Sequence, residues 1–324
     1  MNSSAEMSNL QSDAFQFPGR PLPLARRLAV RNRVLGRIRS FMEERQFNEV
    51  PVPAIAAHTG TWAATGRFYL DSMIAKGFPA VWCENECLPP DWAELNQGLM
   101  GFRRIEAEMV DLDLDQLCRL QEDLLKSVAA DLGADLLGGR QVTRLDRMIT
   151  AEHPRLTYAA CLEILGRRGH ALNFGAPLER DAQDSLWRYV GNLPLQVTHF
   201  PVERMFFTTR VCSEDPRTTQ SIDYILPYAA ATMDGAVRET DPMVLADRLH
   251  KQDDHEPDFG PYLELFEGRP LNRAGFGLSV TALLQYLMGL ESPRDAMINP
   301  QDWITMNHLQ AAAAGRIMAG RGGV

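Results

Sequence analysis

Hydrophobic residues recur at helical spacing in three segments of the chain. From Leu24 the apolar positions follow one another every three or four residues, with arginine and glutamate between them, which predicts an amphipathic helix ending near Gln46. Leu114 to Leu132 shows the same spacing and predicts a second helix. A third helix is predicted over Leu156 to Arg168, opened by Thr157.

Segments rich in β-branched and aromatic residues predict strands between these helices. They are FNEVPVPAI (47–55), Phe78 to Glu86, FRRIEAEMVDLD (102–113), LPLQVTHFP (193–201), RMFFTTRVC (204–212) and QSIDYILPYAA (220–230). The second and third form a hairpin across the loop from Pro89 to Gly98. Two prolines confine FNEVPVPAI to a sheet edge or a subunit boundary, because proline donates no ladder hydrogen bond. The sequence therefore predicts an α+β fold, a mixed and mostly antiparallel sheet flanked by helices.

Three regions are predicted along the chain. Residues 1–23 are polar and then proline-rich, which predicts a disordered or extended arm. Residues 24–305 carry the periodic patterns and are expected to form a single domain. Residues 306–324, with the run AAAAGRIMAGRGGV, predict a C-terminal helix that gives way to a flexible glycine-rich tail.

Composition narrows the possible partners. The 324 residues are 45% hydrophobic and 23% charged, as in ordinary globular proteins. The formal net charge of -9, without a Lys/Arg run, predicts no tRNA partner, since nucleic-acid binding usually requires a basic face. The acidic and polar start, and the lack of an apolar run of about 18 residues, predict a cytoplasmic protein with no membrane partner. Five cysteines without a Cys-x-x-Cys pair predict free thiols.

Several segments together carry a family resemblance. GFGLSVTALLQYLMGLESPRDAM (275–297) resembles the last signature motif of class II aminoacyl-tRNA synthetases, and LAVRNRVLGRIRSFMEERQFNEVPVPAI (28–55) resembles the first. Between them, VTRLDRMITAEHPRLTYAACLEILGRRG, NFGAPL, LPLQVTHFP and QSIDYILP follow in the family's order. From about Leu28 to Pro300 the chain is thus similar to the catalytic core of asparaginyl- and aspartyl-tRNA synthetases, with the asparaginyl branch nearer.

This resemblance carries expectations about assembly. It implies the class II synthetase fold and a homodimer formed through the first motif, which ends in a proline at Pro53. The small β-barrel that reads the anticodon in such enzymes is expected to be absent, because the first helix begins within the first thirty residues.

The residues that contact ATP in the family are replaced here. The last motif has Thr281-Ala282 where the family has Glu-Arg, and the second motif has Trp82 where the family has a phosphate-binding arginine. Ala231 stands where a glutamate holds magnesium. Charge-assisted hydrogen bonds are worth roughly 1.5–3 kcal/mol each, so these losses remove on the order of 5 kcal/mol of nucleotide binding. We expect no adenylation, no cofactor and no bound metal.

The resemblance also places polar residues in the family's amino-acid and adenylate pocket. The candidate catalytic residues are Glu106, Glu108 and His199. The candidate substrate-binding residues are Glu84, Asp223, Arg210, Arg238, Arg273 and Trp82. The expected ligand is a small amino-acid-like molecule.

Two interpretations of the acidic pair remain open. Side chains alternate along a strand, so Glu106 and Glu108 point to one face, and adjacent carboxylates need a cation or a raised pKa. They suit an ammonium or amide ligand. Alternatively, they form structural salt bridges with Arg103, Arg104 or Arg238.

His199 and Arg273 also have two interpretations each. His199 is either a general base, because imidazole titrates near neutral pH, or a hydrogen-bonded structural histidine. Arg273 either binds a carboxylate at the pocket floor or is a solvated loop arginine. Trp82 is expected to fill the space that the phosphates vacate, which would make the cavity smaller and more apolar.

Three functions are compatible with the sequence. The first is an ATP-independent enzyme acting on an amino-acid-derived small molecule, supported by the retained acidic cluster. The second is a homodimeric pseudoenzyme that senses an amino acid or binds a protein, supported equally by the altered nucleotide site. The third is an ATP-dependent amide-forming ligase, which would need cations around the triphosphate where Ser279, Thr281 and Ala282 now stand.

Overall fold

The computed structural model describes residues 22–54, 65–87, 101–251, 260–266 and 271–300. Apart from Leu22 and Pro23, the predicted N-terminal arm lies outside these residues. The predicted hairpin loop and the C-terminal tail also lie outside them.

One mixed sheet organises the described residues. Its strands are β1 (Asn48–Glu49), β2 (Ala80–Cys87), β3 (Phe102–Val110), β4 (Arg155–Thr157), β5 (Leu195–Thr198), β6 (Ser221–Leu226), β7 (Ala230–Val237) and β8 (Arg273–Ser279). They lie in the order β1-β2-β3-β8-β7-β6-β5-β4. The two edge pairs, β1-β2 and β4-β5, are parallel, and the five inner pairs are antiparallel. This confirms the predicted mixed, mostly antiparallel sheet flanked by helices.

Helices cover both faces of the sheet. They are α1 (Leu24–Glu44), α2 (Arg67–Ala75), α3 (Leu114–Ala130), α4 (Ala134–Leu137), α5 (Gly139–Thr150), α6 (Tyr158–Arg167), α7 (Arg180–Tyr189), α8 (Pro242–His250), α9 (Gly260–Glu264), α10 (Val280–Met288) and α11 (Pro293–Ala296). The main core lies between one face and α1, α3, α5 and α10. A second core joins α2, α8 and α9 to β2 on the other side, and a third packs α6 and α7 on β5 and β6.

Side-chain N-caps mark the starts of two of the predicted helices. The Asp113 side chain accepts from the Gln116 backbone N–H at 2.7 Å while the Gln116 side chain accepts from the Asp113 N–H, a capping box that starts α3. Thr157 accepts from the Ala160 N–H at 3.1 Å, which confirms it as the residue that opens α6. The first helix ends at Glu44, before Gln46 with its positive φ of 62°.

Two strand predictions are wrong in part. Within the described part of FNEVPVPAI, residues 47–54, only the short β1 forms, since Pro51 and Pro53 supply no N–H to a ladder. RMFFTTRVC does not form a strand but a turn with isolated bridges at Thr209 and Val211. The Arg248 guanidinium donates to three backbone carbonyls of this segment, including Met205 at 3.3 Å. The aromatic and β-branched residues there reflect burial rather than strand pairing.

The third helix was predicted too long at its start. Residues Arg155–Thr157 form β4 and pair in parallel with β5, so the helix begins at Tyr158. No helix within the described ranges has the length and apolarity needed to cross a membrane.

Candidate functional site

A row of polar side chains and glycines crosses one face of the central strands. Glu108 pairs in register with Gly275, and Glu106 with Gly277. Asp234 on β7 also pairs with Gly277. Because successive residues of a strand face opposite sides, the intervening Ile105, Ala107 and Leu278 join the main core on the other face. The alternation thus separates a polar face from an apolar one.

Glu108 and Arg238 form a buried ion pair in this row. Arg238 Nε donates to both carboxylate oxygens, at 3.1 and 3.2 Å, and its Nη2 also donates to Oε1. Glu108 is 1% exposed and Arg238 5%. Burial raises the pKa of Glu108, against the attraction of the guanidinium. A Cβ on Gly275 would collide with the Glu108 carboxylate, so that glycine makes room for the pair.

Glu106 is held by the segment that precedes α2. Its Oε1 accepts from the Thr65 hydroxyl and its Oε2 from the Gly66 N–H, each at 2.5 Å. Arg104 Nε lies 3.5 Å from Oε1. Both carboxylates of the predicted acidic pair therefore have protein partners, as the structural salt-bridge interpretation required.

Arg104 lies across the glycine strand. Its Nη2 donates to the Asp234 carboxylate, and a Cβ on Gly277 would collide with its guanidinium. Burial opposes the charge on Arg104, but Asp234 and Glu106 together raise its pKa above the ordinary value. The surface of β8 at Gly277 is thus covered by a charged side chain of the protein itself.

Asp223 lies one strand beyond Asp234, with which it pairs in register. Burial, followed by repulsion from Asp234, raises the pKa of Asp223 to about 7, while Arg104 and Arg204 oppose the rise. A carboxyl group with a pKa near 7 can both donate and accept a proton at neutral pH, which suits general acid–base chemistry.

A cavity of about 210 Å³ opens onto this row. The residues that line it are Thr65, Arg67, Arg104, Glu106, Glu108, Phe206, Asp234, Arg238, Phe276 and Gly277. Arg67, the first residue of α2, lies 4.7 Å from the Phe206 ring centroid and 5.4 Å from that of Phe68. Three arginines and three carboxylates face a space suited to a small polar molecule.

Trp82 and Glu84 lie on the opposite face of the sheet, which corrects their predicted place in the pocket. Trp82 pairs with Ala107 in register and is 2% exposed in the main core. Glu84 accepts from Arg103 at 2.8 Å at that surface. On the pocket side of β2 stands Cys83, whose pKa is raised by burial and by Glu106, so it remains a protonated thiol.

His199 and Arg210 are not among the residues that line the cavity, which separates them from the predicted site. His199 Nδ1 lies 2.9 Å from Thr198 Oγ1, and burial lowers its pKa. Arg210 donates to the Asn272 side chain at 2.9 Å. Glu106, Glu108 and His199 are therefore not brought together as a catalytic set.

Arg273 is neither a free carboxylate binder nor a solvated loop residue. It is fully buried at the start of β8 and donates to Asp71 at 2.9 Å and to the Tyr262 hydroxyl at 3.0 Å. Its guanidinium carbon lies 3.7 Å from the Phe266 ring centroid. The network fastens α2 and α9 to the sheet behind the cavity.

Sequence reasoning missed several lining residues. Arg104 is two residues before Glu106 and four before Glu108, so strand alternation places all three on one face. This alternation could have identified Arg104 as a residue of the site as well as a salt-bridge partner. Arg67 and Asp234 give no such local signal. Among the described residues, no three His, Cys, Asp or Glu side chains are grouped to hold a metal ion.

Comparison with known proteins identifies the family. A family model described as "tRNA synthetases class II (D, K and N)" matches residues 20–302. The asparagine–tRNA ligase of Solibacter usitatus is 27% identical over 319 residues, covering 84% of this chain and 69% of the relative. That of Psychromonas ingrahamii is 26% identical over 217 residues, covering 63% of this chain and 46% of the relative. The chain thus spans about half the length of the Psychromonas relative.

Solved structures show the same fold. Asparaginyl-tRNA synthetase from Pyrococcus horikoshii, complexed with asparaginyl-adenylate, superposes with a TM-score of 0.79 at 21% identity, covering 86% of this chain and 69% of that one. The Entamoeba histolytica asparaginyl-tRNA synthetase gives a TM-score of 0.76 at 19% identity, covering 86% and 67%. Since the family model extends over most of the chain and the fold agrees, the chain belongs to the class II tRNA synthetases of the D, K and N group.

Proposed function

We propose that this chain no longer adenylates an amino acid or charges tRNA, and that it acts as an ATP-independent enzyme on an amino-acid-derived small molecule. The observation that carries the proposal is the Arg104–Asp234 ion pair lying over Gly277. The resemblance implies that ATP lies against this glycine strand and the helix after it. Here the protein's own ion pair covers that strand.

The start of the last helix supports the same conclusion. The Ser279 side chain accepts from the Ala282 N–H at 3.3 Å, so it caps α10 internally. Neither Thr281 nor Ala282 supplies a cation there. The two positions that carry Glu-Arg in the family therefore offer no positive side chain to a triphosphate.

Nucleotide binding and adenylation test the proposal directly. We expect ATP with magnesium to leave the melting temperature unchanged, and asparagine or aspartate to give no ATP–pyrophosphate exchange. The Solibacter usitatus asparagine–tRNA ligase serves as the positive control. Amino-acid-dependent exchange above background by this chain would overturn the proposal and favour the ATP-dependent ligase.

The enzymatic part of the proposal rests on Asp223. Asp223 is not among the residues that line the cavity, but it pairs in register with Asp234, which is, and its pKa of about 7 makes this carboxyl the candidate general acid or base. Incubation with a panel of amino acids and their amides, followed by mass spectrometry, is expected to reveal a product. Asp223→Asn is expected to abolish turnover while ligand binding persists.

A ligand-binding pseudoenzyme is the second candidate. It is favoured by the ion pairing of both predicted catalytic carboxylates, since Glu108 is bound by Arg238 and Glu106 by Thr65, Gly66 and Arg104. Ligand binding without turnover across the panel would establish it in place of the enzyme.

Two proposals concern partners. We propose a homodimer through α1 and β1, the elements of the first motif, and expect light scattering to give about twice the 36.3 kDa of the chain. A mass of one chain would refute it. We also propose that the protein binds no tRNA, given its net charge of -9, so filter binding is expected to retain no tRNA at moderate salt.

A further inference from the structure

The charges in the cavity are unevenly paired. Arg238 is bound by Glu108, and Arg104 is shared by Asp234 and Glu106. Among the described residues, no carboxylate lies within the 4.0 Å ion-pair distance of Arg67. Arg67 is therefore the one of the three cavity arginines that no described carboxylate contacts.

Arg67 is nevertheless fixed in position. Its guanidinium lies over the rings of Phe206 and Phe68, and its buried Nε has no hydrogen-bond partner in the part of the chain that the structure describes. Burial, followed by repulsion from Arg238, lowers the pKa of Arg67. A guanidinium still remains protonated in a protein, so it keeps a charge and donors that the fold leaves for another group.

The neighbouring groups disfavour a cationic ligand. An ammonium would need a carboxylate that is free to accept from it, yet Glu106, Glu108 and Asp234 are all engaged by protein groups. It would also be repelled by Arg67 and Arg238. A carboxylate ligand is favoured instead, because the planar guanidinium of Arg67 can donate to both of its oxygens.

We propose that the ligand of this cavity carries a free carboxylate that binds Arg67, so that the site selects small organic acids over amines and neutral amides. The inference rests on the proposed function and specifies its substrate class. A cavity of about 210 Å³ limits the acid to a small molecule. Arg67 is a binding residue in this scheme.

Isothermal titration with a set of related probes tests the proposal. The probes are succinate, L-aspartate, neutral succinamide, the diamine putrescine and inorganic phosphate. Succinate or L-aspartate is expected to bind at least about tenfold more tightly than succinamide, in keeping with one charge-assisted contact. Putrescine is expected not to bind, and phosphate to compete only weakly.

Substitutions test whether Arg67 is the residue that binds the acid. Arg67→Gln is expected to weaken binding of the acid by about tenfold or more, and Arg67→Lys to restore part of it. Arg103→Gln is the matched control, because Arg103 follows the apolar face of β3 and pairs with Glu84 and Glu86 away from the cavity. Circular dichroism and melting temperature establish that each variant is folded.

Distinct outcomes overturn the inference. Preferential binding of putrescine or succinamide would do so, as would acid affinity unchanged in Arg67→Gln or the failure of both acids to bind. Phosphate binding more tightly than either acid would reassign the site to a phosphorylated ligand. The proposed function fails separately, through ATP–pyrophosphate exchange by the wild type, so the two failures are distinguishable.

Discussion

Replacing Asp223 by asparagine removes a carboxyl that the fold holds in an unfavourable environment for its charge. The pKa rises from the ordinary 3.8 to about 7, chiefly through burial and then through Asp234. Between these values the folded protein keeps the proton while the unfolded chain has lost it. The protonated group thus favours folding at low pH, and that advantage is lost as the pH rises toward the folded pKa.

The size of the effect follows from the two pKa values. A difference of about three pH units corresponds to about 4 kcal/mol of folding free energy once the pH exceeds 7. Asp223 keeps some solvent exposure, so this is an upper limit. Asparagine has nearly the same shape as aspartate and no charge. As the pH rises from about 5 to about 8, the free energy of unfolding of the Asp223→Asn variant is therefore expected to increase by up to about 2.5 kcal/mol relative to that of the wild type.

Urea denaturation at several pH values measures this gain by linear extrapolation. Asp111→Asn makes the same change of charge at an exposed residue and is expected to follow the wild-type profile. Parallel wild-type and Asp223→Asn profiles across this pH range would refute the reasoning. A variant that is less stable than wild type at pH 8 would show that ionised Asp223 is stabilised by Arg104.

Three further substitutions probe the sheet. Glu108→Gln leaves Arg238 buried without its carboxylate and is expected to lower the free energy of unfolding, measured by chemical denaturation, by about 3–5 kcal/mol. If the double variant Glu108→Gln/Arg238→Met recovers none of this loss, the proposed pairing is contradicted. Gly277→Ala drives a Cβ into the Arg104 guanidinium, which predicts a loss of about 1–3 kcal/mol and weaker ligand binding by titration; a neutral result would show that Arg104 moves freely. Trp82→Ala is expected to cost about 3–5 kcal/mol of stability while the folded fraction binds ligand normally, and a selective loss of binding would return Trp82 to the site.

Much of the architecture was accessible from the chain because it depends on local periodicity. The helix α3 follows its three- and four-residue spacing, and the hairpin of β2 and β3 follows its alternation. The shared face of Glu106 and Glu108 also follows from the two-residue period of a strand. The strand error at residues 204–212 arose because burial and strand formation favour the same residue types.

The sequence predicted less well which residues make up the site. The alignment of Trp82 with a phosphate-binding arginine identifies a motif position but not the face on which its side chain lies. That face depends on the register of β2 with β3, where Trp82 pairs with Ala107. Arg67 reaches the cavity because α2 packs against the sheet, and nothing near it in the chain indicates this.

The sequence by itself determined the main helices, the alternating faces of the strands and the family to which the chain belongs. All three depend on residues that are close in the chain or on motifs in a fixed order. Tertiary structure alone decided that Glu108 meets Arg238, 130 residues away, and that Arg67 lacks a carboxylate partner among the described residues. Ion pairs between distant residues depend on strand order and helix packing, which local hydrophobic periodicity does not specify.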